Sequence, residues 1–324
     1  MTDPRILVFG YSDVGYVCLE LLLRRKAGVV AVFTHEDKPG ENLWFRSVAA
    51  LAREHDIPVF TPGSLKSPEW EERFRSLKPD ILFSFYYRSL IPVRLLELAS
   101  RGAFNMHGSY LPKYRGRAPV NWAVLNGETQ TGATLHYMVK SADAGDIVDQ
   151  QAVTIGPAET ALQVMQNVQA AALTVLDRQL PAILAGNAAR HPQDEHQATY
   201  FSGRRPEDGR IDWEAPATTL FNLIRAVTRP FPGAFTDCGD ARLMIWWAEP
   251  LEFFPQTGTA PAPGQVVSLD PLIIATGKGF LQITDFQWVN PPPPSQAIPP
   301  LPLTIGQILS SASHHPKPLT PESS

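Results

Sequence analysis

The first third of the chain alternates short β-branched apolar runs with segments of helical periodicity. Residues 5–9 (RILVF), 29–33 (VVAVF) and 80–85 (DILFSF) have the length and composition of buried strands. Between them, residues 17–23 and 43–55 carry apolar side chains at helical spacing. Strands that alternate with helices are joined by crossovers and run parallel, in a sheet that helices cover on both faces. The pattern therefore predicts a Rossmann-like α/β fold with a mainly parallel sheet.

The pattern changes in the second half of the chain. Residues 187–199 are polar and show no apolar period, which indicates a linker. Beyond them, short strand candidates follow one another between glycine and proline turns, an arrangement typical of a small OB-like β-barrel. The last residues are rich in Ser, Pro and His and are expected to be disordered. We predict an α/β domain at residues 1–188, a linker at 189–203, a small β-rich domain at 204–306 and a disordered tail at 307–324.

Composition narrows the classes of partner. The net charge is −4 and the pI about 6.1, whereas proteins that bind nucleic acids or anionic membranes present a basic face. Cys18 and Cys238 lie far apart in sequence, so they indicate neither a disulfide framework nor a metal site. The N-terminal residues lack the apolar core of a signal peptide, and no apolar stretch has the length of a membrane helix. We expect a cytoplasmic protein that binds no nucleic acid and inserts into no membrane.

The turn after the first strand, GYSDVG at residues 10–15, tests whether the α/β half binds a dinucleotide. It contains Gly10 and Gly15 but lacks the G-x-G-x-x-G spacing of that class. A tight turn that leads into a helix accounts for both glycines. The α/β half alone would permit an NAD-dependent dehydrogenase, and the missing glycine pattern weighs against one.

Polar groups suited to acyl transfer lie between residues 105 and 143. Asn105 and His107 fall where a strand passes into a loop, and their i, i+2 spacing directs both side chains to one side. An asparagine amide can donate to a developing oxyanion, a histidine can transfer a proton near neutral pH, and a carboxylate such as Asp143 can stabilise the protonated histidine. The same residue types are common turn formers and structural hydrogen-bonding groups. Spacing alone leaves both interpretations open.

The motifs of this region resemble those of a known family. N-x-H-x-S-x-L-P at residues 105–112, followed by R-G-x-x-P and D-A-G-x-I, is similar to the signature of formyltransferases that use 10-formyltetrahydrofolate. The resemblance extends from residue 5 to about residue 287. It is strongest, through stretches such as NMHGSYLPKYRGRAPVNW and MVKSADAGDIV, to the polymyxin-resistance subgroup that formylates UDP-4-amino-4-deoxy-L-arabinose. It implies direct, metal-free transfer in which Asn105 stabilises the oxyanion, His107 handles the proton and Asp143 supports the histidine.

The same resemblance implies which residues contact the folate. They form two loop segments and one cationic side chain: Ser89, Leu90, Ile91, Arg117, Val139, Lys140, Ser141, Ala142 and Asp143. The loop segments would offer backbone donors and acceptors to a pterin, and Arg117 a fork of donors to an anionic group. The expected ligands are 10-formyltetrahydrofolate and a nucleotide-linked amino sugar. The sequence leaves the sugar, the nucleoside and the oligomeric state open.

Two alternatives come from other classes of substrate or role. A methionyl-tRNA formyltransferase has the same two domains, but it needs basic loops to hold a polyanion. Such enzymes typically carry a basic insertion after the second strand, where this chain has HEDKPGENLW at residues 35–44, with three acids and one lysine. They also carry a small residue in place of Arg117. A non-catalytic folate or sugar-nucleotide binding module would not need Asn105, His107 and Asp143 together.

Overall fold

Strands and helices alternate through the first half of the chain. The structure, a computed structural model, describes residues 3–36, 44–238, 241–253, 255, 260–289 and 303–310. The elements up to the end of the sixth helix are β1 (Ile6–Gly10), α1 (Ser12–Arg24), β2 (Val29–Phe33), α2 (Val48–Glu54), β3 (Val59–Phe60), α3 (Glu69–Leu77), β4 (Ile81–Phe85), α4 (Val93–Leu96), β5 (Gly102–His107), β6 (Arg115–Gly116), α5 (Pro119–Leu125), β7 (Gln130–Tyr137), β8 (Ile147–Thr154) and α6 (Ala161–Leu184).

Seven of these strands form one sheet in the order β3-β2-β1-β4-β5-β7-β8. The pairs among β1 to β5 are parallel, whereas β7 runs antiparallel to both β5 and β8. The predicted Rossmann-like, mainly parallel sheet is therefore confirmed. Its carboxyl edge includes the ends of β4 and β5, where Phe85 pairs with Met106.

Helices cover both faces of this sheet because alternate strand residues point to opposite sides. Ile6 and Val8 of β1 belong to one buried cluster, together with apolar residues of α1, α2 and α6. Leu7 and Phe9 belong to a second cluster, which includes Phe74 of α3 and residues of α4. Full burial of a side chain of this size contributes about 1.5–3 kcal/mol to stability.

The C-terminal part is β-rich, as predicted. Its elements are β9 (Tyr200–Phe201), α7 (Ala217–Val227), β10 (Ala234–Cys238), β11 (Ala241–Leu251), β12 (Val266–Leu269), β13 (Leu272–Ala275) and β14 (Phe280–Val289). Strands β10 to β14 form an antiparallel sheet in the order β10-β11-β14-β13-β12.

The two parts of the chain share one core. Residues of α7 and of the C-terminal sheet lie in the same buried cluster as α1 and α6. Across this junction, the side chain of Asn121 in α5 donates to the carbonyl of Ala226 in α7 at 2.8 Å. The guanidinium of Arg225 is buried and donates to the carbonyl of Glu159 at 2.8 Å.

The segment predicted as a linker is ordered along the α/β part. It contains a 3₁₀ helix at Glu195–Gln197, and its strand β9 pairs in parallel with β6. The absence of an apolar period gave no sign of this, because the segment is held by polar side chains and by two short strands. Residues 189–203 are therefore ordered against the α/β part and do not form an unstructured linker.

Part of the predicted tail is also ordered. Leu309 is buried and its amide donates to the carbonyl of Gly264 at 2.9 Å, while the amide of Val266 donates to the carbonyl of Gln307 at 2.9 Å. Disorder from residue 307 was therefore wrong for residues 307–310, because an apolar anchor lies within a Ser- and Pro-rich stretch. Residues 311–324, the proline-rich residues 290–302 and residues 37–43 lie outside the described residues.

Candidate active site

Asn105 and His107 lie on one face of β5, close to its carboxyl end. Their partner strand β7 places His136 directly opposite Asn105. The loop at residues 138–146 then folds back over this face and brings Asp143 to the two side chains. Asp143 Oδ1 lies 3.3 Å from Asn105 Nδ2 and 3.6 Å from His107 Nδ1. The three residues singled out by the sequence are therefore in contact.

The loop that carries Asp143 has a demanding backbone. Asp143 itself has a φ of 56°, in the left-handed region that aspartate tolerates better than most residues. Two residues later, any Cβ at Gly145 would collide with the carbonyl oxygen of Tyr137. The D-A-G sequence therefore fits a tight return of the chain over the strand that it has just left.

The Asp143 carboxylate is almost enclosed, with 12% of its side chain exposed. Its Oδ2 accepts a hydrogen bond from the amide of Gly116 at 2.9 Å, and Oδ1 lies 3.5 Å from His136 Nε2. Burial acts to raise the pKa of Asp143, but the two histidines, once protonated, and the Gly116 amide favour the charged form more strongly. Together they hold the pKa of this carboxyl well below its ordinary value. The carboxylate is therefore ionised at neutral pH.

His107 is held by a backbone carbonyl. Its Nε2 lies 2.8 Å from the carbonyl oxygen of Tyr114, which can only accept, so Nε2 carries a proton. The lone pair of the neutral ring is then at Nδ1, on the side of Asp143. Tyr114 is itself anchored, because its hydroxyl donates to Glu128 at 2.7 Å. A proton taken up at Nδ1 would lie beside a carboxylate that is already charged.

His136 is a site residue that the sequence reasoning missed. Its Nδ1 lies 2.8 Å from the carbonyl oxygen of Tyr137, so Nδ1 is the protonated nitrogen of the neutral ring. Its Nε2 then accepts from the amide of Asn105, at 3.1 Å. This orients the Asn105 side chain with its NH₂ group toward His136 and Asp143. The alternation of residues 132–139 (GATLHYMV) is typical of a strand, but only the register of this strand against β5 places His136 at the site.

A hydrogen-bond network centred on the buried side chain of Arg115 lies behind the Asp143 loop. Arg115 is fully buried, and Glu195 accepts from its guanidinium at 2.7 Å. Gln193 Oε1 accepts from Arg115 Nη2 at 2.7 Å, and Gln193 Nε2 donates to the carbonyls of Asp143 at 2.8 Å and Gly145 at 2.7 Å. The predicted linker thus contacts the loop directly. Because Gln193 lies in a polar stretch without periodicity, sequence reasoning did not single it out.

The residues predicted to contact folate are mostly exposed. Ser89, Leu90 and Ile91 follow β4, with Leu90 80% exposed and Ile91 buried in the core. Arg117 is exposed and its amide donates to the carbonyl of Phe201 in β9 at 3.0 Å. Val139, Lys140, Ser141 and Ala142 are exposed on the loop that ends at Asp143. Exposed apolar side chains such as Leu90 and Val139 can be covered by a ligand.

A cavity among the described residues lies away from this centre. It has a volume of about 740 Å³ and lies between α1, α6 and Arg229, with Trp44 and Met165 in its walls. Asn105, His107 and Asp143 do not line it.

Among the described residues, no group of three or more His, Cys, Asp and Glu side chains is arranged to hold a metal. In the same residues, no helix combines the length and the apolar character needed to cross a membrane.

Solved structures share this fold. An N-formyltransferase from Helicobacter canadensis, in complex with folinic acid and dTDP-3-aminofucose, matches with a TM-score of 0.68 at 22% identity, over 89% of this chain and 100% of that chain. A sugar N-formyltransferase from a Shewanella species matches with a TM-score of 0.60 at 17% identity, over 74% and 94%. HypX from Aquifex aeolicus, in complex with tetrahydrofolic acid, matches with a TM-score of 0.58 at 19% identity, over 88% and 44%.

Family models match both parts of the chain. The model described as formyl transferase matches residues 5–180, which contain Asn105, His107, His136 and Asp143. The model described as formyl transferase, C-terminal domain, matches residues 204–293. Since the first match alone covers more than half of the chain, this protein belongs to the formyl transferase family and is a formyltransferase.

Proposed function

We propose that this formyltransferase moves the formyl group of 10-formyltetrahydrofolate to the amine of a nucleotide-linked amino sugar, and that the sugar nucleotide is UDP-4-amino-4-deoxy-L-arabinose. The observation that carries the proposal is the contact of Asn105, His107 and Asp143 at the carboxyl end of β5. A folate-like ligand and an amino sugar nucleotide occur together in the similar structure from Helicobacter canadensis, which supports the substrate classes.

The reaction that these residues suit is a direct attack. The sugar amine nitrogen bonds to the formyl carbon, and the carbonyl π electrons move to oxygen to give a tetrahedral oxyanion. Asn105 donates to this oxyanion; its bond to Asp143 is 3.3 Å long, so a strong acceptor can compete for that hydrogen. The intermediate then collapses, the bond from carbon to N10 breaks, and N10 takes up a proton.

His107 carries the proton between the two nitrogens. We assign the transfer to Nδ1, because Nε2 is occupied with the carbonyl of Tyr114. The proton leaves the attacking amine, resides on His107 Nδ1 and passes to N10 of the departing folate. Asp143 remains ionised throughout and stabilises the imidazolium that forms beside it. Each of these three roles remains a proposal that mutation can test.

The folate would lie against the exposed loops beside this centre. We propose contacts from Ser89, Leu90 and Ile91, from Arg117 and from residues 139–143. The exposure of Leu90 and Val139, two large apolar side chains, supports this placement, because a flat pterin would remove them from water. Arg117 would pair with an anionic group of a ligand.

We also propose that the chain is divided into a catalytic domain and a smaller domain. Residues 1–188 would form the catalytic domain and residues 204–306 the small β-rich domain. Residues 189–203 would join them, and their contacts with Arg115 and with the Asp143 loop support counting them with the catalytic part.

A competition assay tests the substrate class. Purified enzyme and formylfolate are offered UDP-4-amino-4-deoxy-L-arabinose, dTDP-3-aminofucose and methionyl-tRNA together, and products are separated by mass. We expect formylation of the UDP sugar. Exclusive formylation of the tRNA would overturn the proposal, and preference for the dTDP sugar would correct the proposed sugar nucleotide.

A histidine variant tests the mechanism. His107→Ala should abolish formyl transfer while folate binding, followed by fluorescence, stays measurable. His55→Ala, at an exposed position after α2, is the matched control and should keep wild-type turnover. Near-normal turnover in His107→Ala would show that another group handles the proton.

A further inference from the structure

The loop that carries Asp143 is held by hydrogen bonds from the segment between the two domains, residues 189–203. Gln193 Nε2 donates to two carbonyl groups of this loop, that of Asp143 at 2.8 Å and that of Gly145 at 2.7 Å. Both amide hydrogens of Gln193 are used in this way. The residue so held, Asp143, has a left-handed backbone that the loop must maintain against its own preference.

The orientation of Gln193 is set by Arg115. The oxygen of Gln193 accepts from Arg115 Nε at 3.1 Å and from Nη2 at 2.7 Å. A guanidinium has donors only, so the oxygen of the Gln193 amide must face Arg115 and its NH₂ group must face the loop. Arg115 is fully buried and its charge is matched by Glu195 at 2.7 Å.

Strand β6, which contains Arg115, also holds the side-chain carboxylate of Asp143. Gly116 follows Arg115 in β6, and its amide donates to Asp143 Oδ2 at 2.9 Å. Strand β6 in turn pairs with β9, so that β6 and the 189–203 segment form one support. This support fixes both the backbone and the side chain of Asp143.

We propose that Gln193 and Arg115 are positioning residues that hold the Asp143 carboxylate against His107, and that the 189–203 segment is thereby a working part of the active site. This inference rests on the proposed role of Asp143 in formyl transfer. Neither residue touches substrate; both act through the loop.

Gln193→Glu separates positioning from simple structure. A glutamate still accepts from Arg115 but has no hydrogen to donate to the two carbonyls, which it would repel. We expect kcat to fall by about tenfold to a hundredfold, the loss that a displacement of about 1 Å produces, with the KM values for folate and sugar nucleotide changed less than threefold. Gln197→Glu, on the same segment but exposed and bonded to Asp194, is the control and should keep kcat within twofold. Arg115→Lys should lower kcat as Gln193→Glu does.

A double-mutant cycle identifies the route of the effect. Single-turnover rates, with enzyme in excess, are measured for Gln193→Glu in the wild-type and Asp143→Asn backgrounds. If Gln193 acts through the Asp143 carboxylate, its substitution adds less than twofold once that carboxylate is gone. A wild-type kcat in Gln193→Glu, or an equal loss in both backgrounds, would overturn the inference. Full activity of Asp143→Asn would instead overturn the proposed function.

Discussion

The side-chain amide of Asn105 lies 3.1 Å from Nε2 of His136, directly across the antiparallel pair formed by β5 and β7. The hydrogen bond from His136 Nδ1 to the carbonyl of Tyr137 decides which nitrogen is the acceptor. The register of two strands therefore determines how the oxyanion donor is presented.

Removing this partner should slow the reaction. In His136→Ala the Asn105 amide loses the group that orients it, so we expect kcat to fall by about tenfold, while KM for the folate stays within a factor of about two. Steady-state kinetics measure both values. His55→Ala serves as control, and an unchanged kcat in His136→Ala would show that Asp143 alone orients Asn105.

The depressed pKa of Asp143 predicts how stability depends on pH. A carboxyl whose pKa is lower in the folded than in the unfolded protein stabilises the fold above its unfolded pKa, near 3.9. That stability is lost as the pH falls through the acid range toward the folded pKa. Urea unfolding between about pH 5 and pH 2 should therefore show a steeper decline for the wild type than for Asp143→Asn. Equal slopes would mean that the carboxyl is not stabilised in the fold.

The ordered end of the chain should contribute to stability. Leu309 is 3% exposed against the C-terminal sheet, whereas its neighbour Ile308 is 61% exposed. Leu309→Ala should lower the free energy of unfolding by about 2–5 kcal/mol, as for other buried leucines. Ile308→Ala should change it by less than about 0.5 kcal/mol. Chemical denaturation of the two variants measures the difference; equal effects would argue against the packing of residues 307–310.

The two cysteines should differ in reactivity. Cys18 is fully buried in α1, and burial raises the pKa of its thiol. Cys238 is partly exposed. A thiol reagent should therefore label Cys238 in the native protein and Cys18 only after unfolding, because the thiolate is the reactive form. Mass spectrometry of the labelled peptides distinguishes the two, and rapid native labelling of Cys18 would contradict its burial.

Local patterns in the sequence were enough for the α/β part. Runs such as RILVF predict buried strands, and their alternation with helices predicts a parallel sheet, which the structure has. Asn105 and His107 share a face because they are two residues apart in a strand. Residue types made Asp143 a candidate, but only the family resemblance implied its role, since the loop that returns it to His107 depends on Gly145 and on a left-handed residue.

The residues that support the site, His136, Gln193 and Arg115, could not be predicted from local sequence patterns. His136 joins the site through its pairing with Asn105, and strand register between distant segments leaves no mark in either segment. Gln193 and Arg115 act through a network whose members are about 80 residues apart. Polar side chains that bond to each other show no periodicity, so a structured segment was predicted as a linker.

The core shared by the two halves limits how the enzyme can move. Arg225 of α7 is buried with its guanidinium on the carbonyl of Glu159, and Asn121 reaches across to Ala226. A hinge motion at this junction would leave a cation and several peptide groups without partners in an apolar interior. The two halves thus keep one relative position once the chain has folded. We therefore expect substrates to bind without closure of one half on the other.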